Sequence, residues 1–270
     1  MNPDALAALC DATMPEERLT CDELAYLCFG EHDEVFGDEN AAAVLQTMTY
    51  GEYVAAWLIL VAVQPGDQRK GRAKELVHAV ADRARELGAQ DLLLASAIPR
   101  YIWPGVDLTN TRVGMLLESC GFAREWLGIN MTIDTAFRRD PPGGITVERE
   151  TGPGAHDFAA RAYPHWVPEL DRAVELGTAF AARDASGETI GFGCHSVNRA
   201  TWIGPMATEP DQQHGGVGSA VVAAVCADLA SRGHATGEIA WVSNLRFYGK
   251  CGARVSRVFM GGKLPLSGRR

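Results

Sequence analysis

The sequence predicts a mixed α/β (α+β) protein made of two tandem copies of one domain, each a mixed twisted sheet flanked by helices. Three observations predict it. A strand–loop–helix pattern occurs twice, around Pro65-Gly66-Asp67-Gln68-Arg69-Lys70-Gly71-Arg72-Ala73 and around Pro210-Asp211-Gln212-Gln213-His214-Gly215-Gly216-Val217-Gly218. The chain has 270 residues, 47% hydrophobic and 22% charged, which is enough apolar content for two ordinary cores. Between the copies, Arg138-Arg139-Asp140-Pro141-Pro142-Gly143-Gly144 has the composition of a linker. The expected domains are therefore 1–137 and 145–270, joined by 138–144.

In the first copy, 22–29 has helical periodicity, and 41–49 reads as a strand that turns at Tyr50-Gly51 into a second strand, 53–63. The first loop follows, then a helix over 72–87 that stops at Gly88, a glycine suited to the left-handed position after a helix. A buried strand is expected over 91–97, a turn-rich stretch over 99–107, a helix over 109–120 and a closing strand over 122–133. In the second copy, a strand over 145–150 precedes helical segments from 156 to 175. A hairpin then pairs 178–184 with 188–197 through Ala185-Ser186-Gly187. A strand over 201–208 leads into the second loop and a helix over 218–231. A strand over 235–242, a short helix over 244–250 and a last strand over 253–264 complete the copy. The loops lie 145 positions apart and the helix-ending glycines, Gly121 and Gly252, 131 apart. The first copy thus carries fourteen extra residues, centred on Tyr101-Ile102-Trp103-Pro104-Gly105-Val106.

A formal charge of −9 argues against a nucleic-acid partner, because phosphate backbones select basic faces. The longest apolar run, 54–63, is too short to span a bilayer, and Met1-Asn2-Pro3-Asp4 lacks the basic region of a secretory signal. A cytoplasmic protein without membrane partners is expected. Seven scattered cysteines include no Cys-x-x-Cys pair, so no metal or redox site is expected. Cys120 and Cys251, each before a helix-ending glycine, are expected to be buried packing residues.

Each repeated loop sets backbone N–H groups at a helix N-terminus, an arrangement suited to an anion. A Walker loop would need Gly-Lys-Ser or Gly-Lys-Thr, and a Rossmann fingerprint would need Gly-x-Gly-x-x-Gly; neither is present. The spacing Pro-x-x-Gln-x-x-Gly-x-(Ala or Gly) resembles the pyrophosphate loop of the GNAT superfamily of acyl-CoA-dependent N-acyltransferases. Its occurrence twice in the same context makes the resemblance specific, and it covers most of the chain.

The resemblance implies acetyl-CoA as co-substrate and, as acceptor, a primary amine of a small molecule: an amino sugar, an aminoglycoside-like compound or an amino-acid derivative. Acetyl-CoA would be held in the second copy by Met206, Ala207, Thr208, Gln213, His214, Gly215, Gly216, Val217, Gly218 and Ser219. The matching positions of the first copy are Val61, Val63, Gln68, Arg69, Lys70, Gly71, Arg72 and Ala73. It implies a tyrosine acid near the CoA sulfur, which is Tyr248 in the second copy and Leu117 in the first. Leucine donates no proton, so chemistry is expected in the second copy. The family asparagine seven residues before that tyrosine matches Asn110 in the first copy. Asn244 stands only four before Tyr248, and an N-cap role fits both.

An alkylammonium must lose a proton before it can attack. No carboxylate stands on 201–208, leaving Glu238, Glu209 and His195 as possible bases, with Glu238 preferred. His165 and Trp166 match the region that lines the acceptor site in the superfamily. Arg69, Lys70, Arg72 and Lys74 crowd the first loop while His214 alone stands near the second, so the first is expected to hold CoA with the stronger Coulombic attraction. Two other functions remain open on this reading: a CoA-sensing protein without turnover, and an enzyme acting on a protein or peptide amine.

Overall fold

A computed structural model describes residues 1–94 and 97–266 of the chain. The chain forms two compact units, one from Met1–Gly128 with the segment from Val258 onward, the other from Ile129–Arg257. No helix among the described residues is long and apolar enough to cross a membrane.

The first unit opens with helix α1 (Pro3–Thr13), which the sequence reading did not anticipate. Asn2 caps it by accepting from the Ala5 N–H, and Pro3 occupies its first turn. Helix α2 (Cys21–Cys28) starts at a capping box made by Thr20 and Glu23. Strands β1 (Asp33–Asp38), β2 (Ala41–Tyr50) and β3 (Tyr53–Val63) form an antiparallel meander. Helix α3 (Arg72–Glu86) follows, and then β4 (Asp91–Leu94), parallel to β3 at Ala56–Leu58. Ala95 and Ser96, part of the strand expected over 91–97, lie outside the described residues. Alternate residues of β2 face opposite sides: Ala42 and Val44 join the core under α1 and α2, and Ala43 and Leu45 join the core under α3. That two-sided burial explains the unbroken apolar run of β2. The unit continues through β5 (Val106–Asp107), helix α4 (Thr111–Ser119) and the start of β6 (Ala123–Asp134).

The second unit contains β7 (Thr146–Arg149), α5 (Gly154–Ala162), α6 (Val167–Glu175), β8 (Ala179–Arg183), β9 (Thr189–His195) and β10 (Trp202–Thr208). After them come α7 (Val217–Ser231), β11 (Thr236–Ile239), α8 (Leu245–Lys250) and the start of β12 (Arg254–Pro265). Strands β7 to β10 pair antiparallel in chain order, and β11 pairs parallel with β10. One core joins Phe158 of α5, Leu170 of α6 and Phe192 of β9; another joins Val222, Val225 and Leu229 of α7 to Ile203 and Ile239.

The closing strands depart from the expected division. Met131–Asp134 of β6 pair with β11, and Met131 and Ile133 enter the core beneath α7. Lys263–Pro265 of β12 pair with β4, and Met260 and Leu266 enter the core beneath α3. The final strand of each copy thus completes the sheet of the other, and the units are not the linear segments 1–137 and 145–270. A strand is stabilised by whichever edge satisfies its backbone groups, and the alternating pattern along it does not specify that edge. Two glycines allow the close approach within the first unit. The ring of Trp126 fills the space a Cβ on Gly261 would need, and the Ala123 carbonyl does the same at Gly262.

Candidate active site

Both repeated loops fold alike. Each begins with a short 3₁₀ turn, Pro65–Asp67 or Pro210–Gln212, followed by an extended glutamine. The next residue, Arg69 or His214, is left-handed with φ of 61° or 69°. Gly71 and Gly216, with φ of 89° and 97°, then serve as the N-caps of α3 and α7. Neither helix receives a side-chain cap, so among the described residues its first N–H groups are free of side-chain acceptors. The glutamines brace the loops: Gln68 Nε2 donates to the Val63 carbonyl at 3.1 Å and Gln213 Nε2 to the Thr208 carbonyl at 3.4 Å. Val217 points into the core, so it offers a ligand only its backbone.

Strand β10 pairs with β11 only at Trp202 and Ile203. Its register against β9 then shifts between Ile203 and Met206, and it runs on to Thr208 beside β9 alone. Pro205 at the irregularity has no N–H to give a ladder. Met206, Ala207 and Thr208 consequently present one backbone edge without a strand partner among the described residues, and they line a cleft of about 780 Å³. An N–H on that edge can donate to an oxygen that gains charge during acyl transfer.

Tyr248 lines the same cleft from α8. Asn244 caps that helix, accepting from the Phe247 N–H at 3.0 Å, and Asn110 caps α4 in the same manner. The Tyr248 ring meets Phe247 edge-on at 4.8 Å between centroids. Burial pushes the phenol well above its usual pKa, so it stays protonated as a donor. Leu117, at the matching place in the first copy, is a core residue 1% exposed. The Phe247 ring also fixes the need for glycine at 218, where a Cβ would stand 3.1 Å from the ring and 3.3 Å from Thr208 Oγ1.

The structure pairs part of the first-loop charge and brings to the second loop cations that the sequence expectation did not count. At the first loop, Lys70 pairs with Asp67 at 2.9 Å and Arg72 with Asp38 at 2.7 Å. The second-copy cleft is lined by Arg138, Arg139, Arg246 and Lys250 besides His214, and by no aspartate or glutamate among the described residues. In a chain of net charge −9, such a cleft is complementary to a polyanion. Sequence reading missed all four. Arg138 and Arg139 sit in the presumed linker, and Arg246 and Lys250 fall one helical turn apart on α8, a spacing of ordinary surface helices.

Three expected bases do not reach the cleft. Glu238 is absent from the lining; its Oε1 accepts from Asn130 Nδ2 at 2.6 Å, and the side chain lies on β11 opposite Trp202, at the far end of β10 from Met206. Glu209 pairs with Arg161 at 2.8 Å. His195 is fully buried between Asp228 and Ser196, each at 2.8 Å, and burial lowers its pKa to about 4 against the pull of Asp228. Trp166 does line the cleft, stacked on Tyr163 at 5.0 Å. Its ring also meets Phe192, the β9 partner of Ala207, which sets it beside the unpaired strand edge. His165 is exposed next to Trp166, with ring centroids 4.9 Å apart, and is not part of the lining.

A sequence model of the Acetyltransferase (GNAT) family matches residues 145–253. The second copy is a GNAT acetyltransferase domain. Solved structures extend the likeness of fold to the whole chain. A GCN5-related N-acetyltransferase from Sphaerobacter thermophilus superposes with a TM-score of 0.67 at 16% identity, covering 100% of this chain and 95% of that one. A tandem GNAT protein from the clavulanic acid biosynthesis pathway gives 0.73 at 12% identity, covering 99% and 94%. The glucosamine N-acetyltransferase region of a fungal multi-domain GH3 β-N-acetylglucosaminidase gives 0.78 at 21% identity. This chain is covered to 97% by that match but spans only 37% of the fungal chain. No curated protein sequence matches the chain.

The whole chain therefore has the tandem GNAT fold, and the family that matches its second copy uses acetyl-CoA. The residues present suit that co-substrate: an uncapped helix N-terminus for phosphate, four cations with no carboxylate among them, and an unpaired strand edge beside a protonated tyrosine. When bound, acetyl-CoA supplies the acetyl group as an activated thioester. The acceptor is the other substrate that such a transfer requires.

Proposed function

We propose that the second copy transfers acetyl from acetyl-CoA to a primary amine of a small molecule, by direct attack within a ternary complex, and that the acceptor is an amino sugar. The observation that carries the reading is the cleft lining, in which loop, strand edge, tyrosine and cations meet without any carboxylate. In this reading Gly215, Gly216 and Ser219 offer backbone N–H groups to the pyrophosphate. An N–H of Met206, Ala207 or Thr208 donates to the reacting carbonyl oxygen. The Tyr248 hydroxyl donates toward sulfur as negative charge gathers there. The amine's proton passes to water, since no carboxylate lines the cleft.

Two features favour an amino sugar. The stacked Tyr163–Trp166 pair beside Ala207 offers an aromatic face to the apolar side of a sugar ring. A cationic lining repels acceptors with several positive charges, such as aminoglycosides, polyamines and lysine-rich peptides. The glucosamine activity named for the fungal relative agrees with this choice. The first copy, with Leu117 in place of the acid and with Lys70 and Arg72 of its loop paired to aspartates, is read as non-catalytic.

The test is release of free CoA thiol across a panel of acceptors. Turnover is expected with glucosamine and neutral or phosphorylated amino sugars, well above that with aminoglycosides, spermidine or a lysine peptide. Preference for the polycationic amines overturns the acceptor class. Binding of acetyl-CoA without turnover on any amine overturns the proposed transfer to a small amine.

A further inference from the structure

We propose that the segment joining the two copies is a wall of the acyl-CoA site, with Arg139 as a direct ligand for the pyrophosphate. The inference rests on the reading of the second-copy cleft as the acyl-CoA site. It adds a residue that lies outside both the repeated loop and the family match at 145–253.

The segment is held at both ends. Arg138 Nη1 donates to the Thr135 carbonyl at 2.6 Å and the Phe137 carbonyl at 2.8 Å, and the Ile145 N–H donates to the Pro142 carbonyl at 3.1 Å. Between those anchors the chain passes over the start of α7. Pro142 Cγ lies 3.5 Å and Arg139 Nη2 3.8 Å from the point a Cβ on Gly216 would occupy. Arg138 and Arg139 thus divide the work: the first spends its guanidinium on backbone carbonyls, and the second faces the cleft with no carboxylate or carbonyl partner among the described residues.

A guanidinium beside an uncapped helix N-terminus sets like charges together. The arrangement is unfavourable unless an anion lies between them, and the lining supplies none. A pyrophosphate would neutralise both at once: the α7 N–H groups donate along the helix axis, and the planar fork of Arg139 donates in pairs to phosphate oxygens. An arginine merely solvated at the surface would leave binding indifferent to its loss.

Calorimetric titration of the full-length protein with acetyl-CoA at low and high salt tests this. Arg139→Ala is expected to weaken binding about tenfold and to flatten its salt dependence, with Arg139→Lys recovering only part of the affinity. In steady-state assays the loss should fall on KM more than on kcat. Arg139 is exposed, so its truncation does not endanger folding, and thermal melting checks this. Arg254→Ala, an exposed arginine outside the cleft, controls for net charge and should bind like wild type. Unchanged affinity and salt dependence in Arg139→Ala, with binding abolished by Gly216→Glu, would leave the site intact and overturn the role of Arg139. Absence of acetyl-CoA binding by the wild type would overturn the reading of the cleft itself and this inference with it.

Discussion

Tyr248 and Glu169 show how burial sets the state of single groups in opposite parts of the second unit. In the proposed reaction the buried Tyr248 phenol, which keeps its proton, stabilises charge on the departing sulfur without contributing to ground-state affinity. Tyr248→Phe should therefore lower kcat at least tenfold while calorimetric acetyl-CoA affinity stays near wild type; equal turnover would remove the hydroxyl from the mechanism. Glu169 is 4% exposed, and its Oε1 accepts from Asn198 Nδ2 at 3.3 Å. Asn198 Oδ1 is buried with no partner in the described residues. A protonated Glu169 donating to that oxygen would satisfy both groups. Burial raises its pKa to about 8 from an ordinary 4.5. The folded state then binds a proton that the unfolded state has released, so stability falls as pH rises from about 4.5 to about 8 and levels off above. Glu169→Gln should remove that slope, as read from denaturant midpoints across the range; a slope unchanged in the variant would assign it to other groups.

The loop and the first turn of α7 work as one element, and its glycines are fixed by different causes. Gly216 needs its left-handed φ of 97°, which an L side chain adopts at a cost of about 1–2 kcal/mol. Gly218 needs space, because Phe247 lies over it. Gly216→Ala should lower melting temperature modestly and weaken acetyl-CoA binding by disturbing the N–H groups of the loop. Gly218→Val should displace Phe247, move its neighbour Tyr248, and lower kcat as well as affinity. Calorimetry and steady-state kinetics on both variants separate the two causes; a purely thermodynamic loss of stability in Gly218→Val, with normal kcat, would dissociate Phe247 from the placement of Tyr248.

At the scale of the whole molecule, the exchange of β6 and β12 makes each unit depend on chain from both copies. A fragment of residues 145–270 lacks β6, leaving the β11 edge unpaired and the core beneath α7 without Met131 and Ile133. A fragment of residues 1–137 lacks the β12 segment that pairs with β4, together with Met260 and Leu266. Exposed edges invite aggregation. Each fragment expressed alone should be aggregated or poorly protected from hydrogen exchange, and co-expression should restore a soluble species. Two stable, monomeric and well-protected fragments in size-exclusion and exchange measurements would show that the exchange is not required.

The sequence by itself determined the repeat, the order of most strands and helices, both repeated loops, and the difference between Tyr248 and Leu117. These are local properties: alternation, helical spacing, left-handed positions and motif register are written within a few consecutive residues. It left out α1 and β1, although Asn2 and Pro3 carried a helix-start signal. Tertiary structure alone decided which sheet each closing strand completes, because a strand's pattern does not name its partner. It also decided the electrostatics of the cleft. Arg72 is paired with Asp38, a residue 34 positions away in the chain, whereas Arg139 comes to lie against Gly216 from the far side of four strands. The sequence offers Glu238, on the strand after the loop helix, as the preferred base, but strand register puts it opposite Trp202 and its Oε1 accepts from Asn130. Charge in a sequence is counted along the chain, while a ligand meets it through space, and the Coulomb energy follows the second distance.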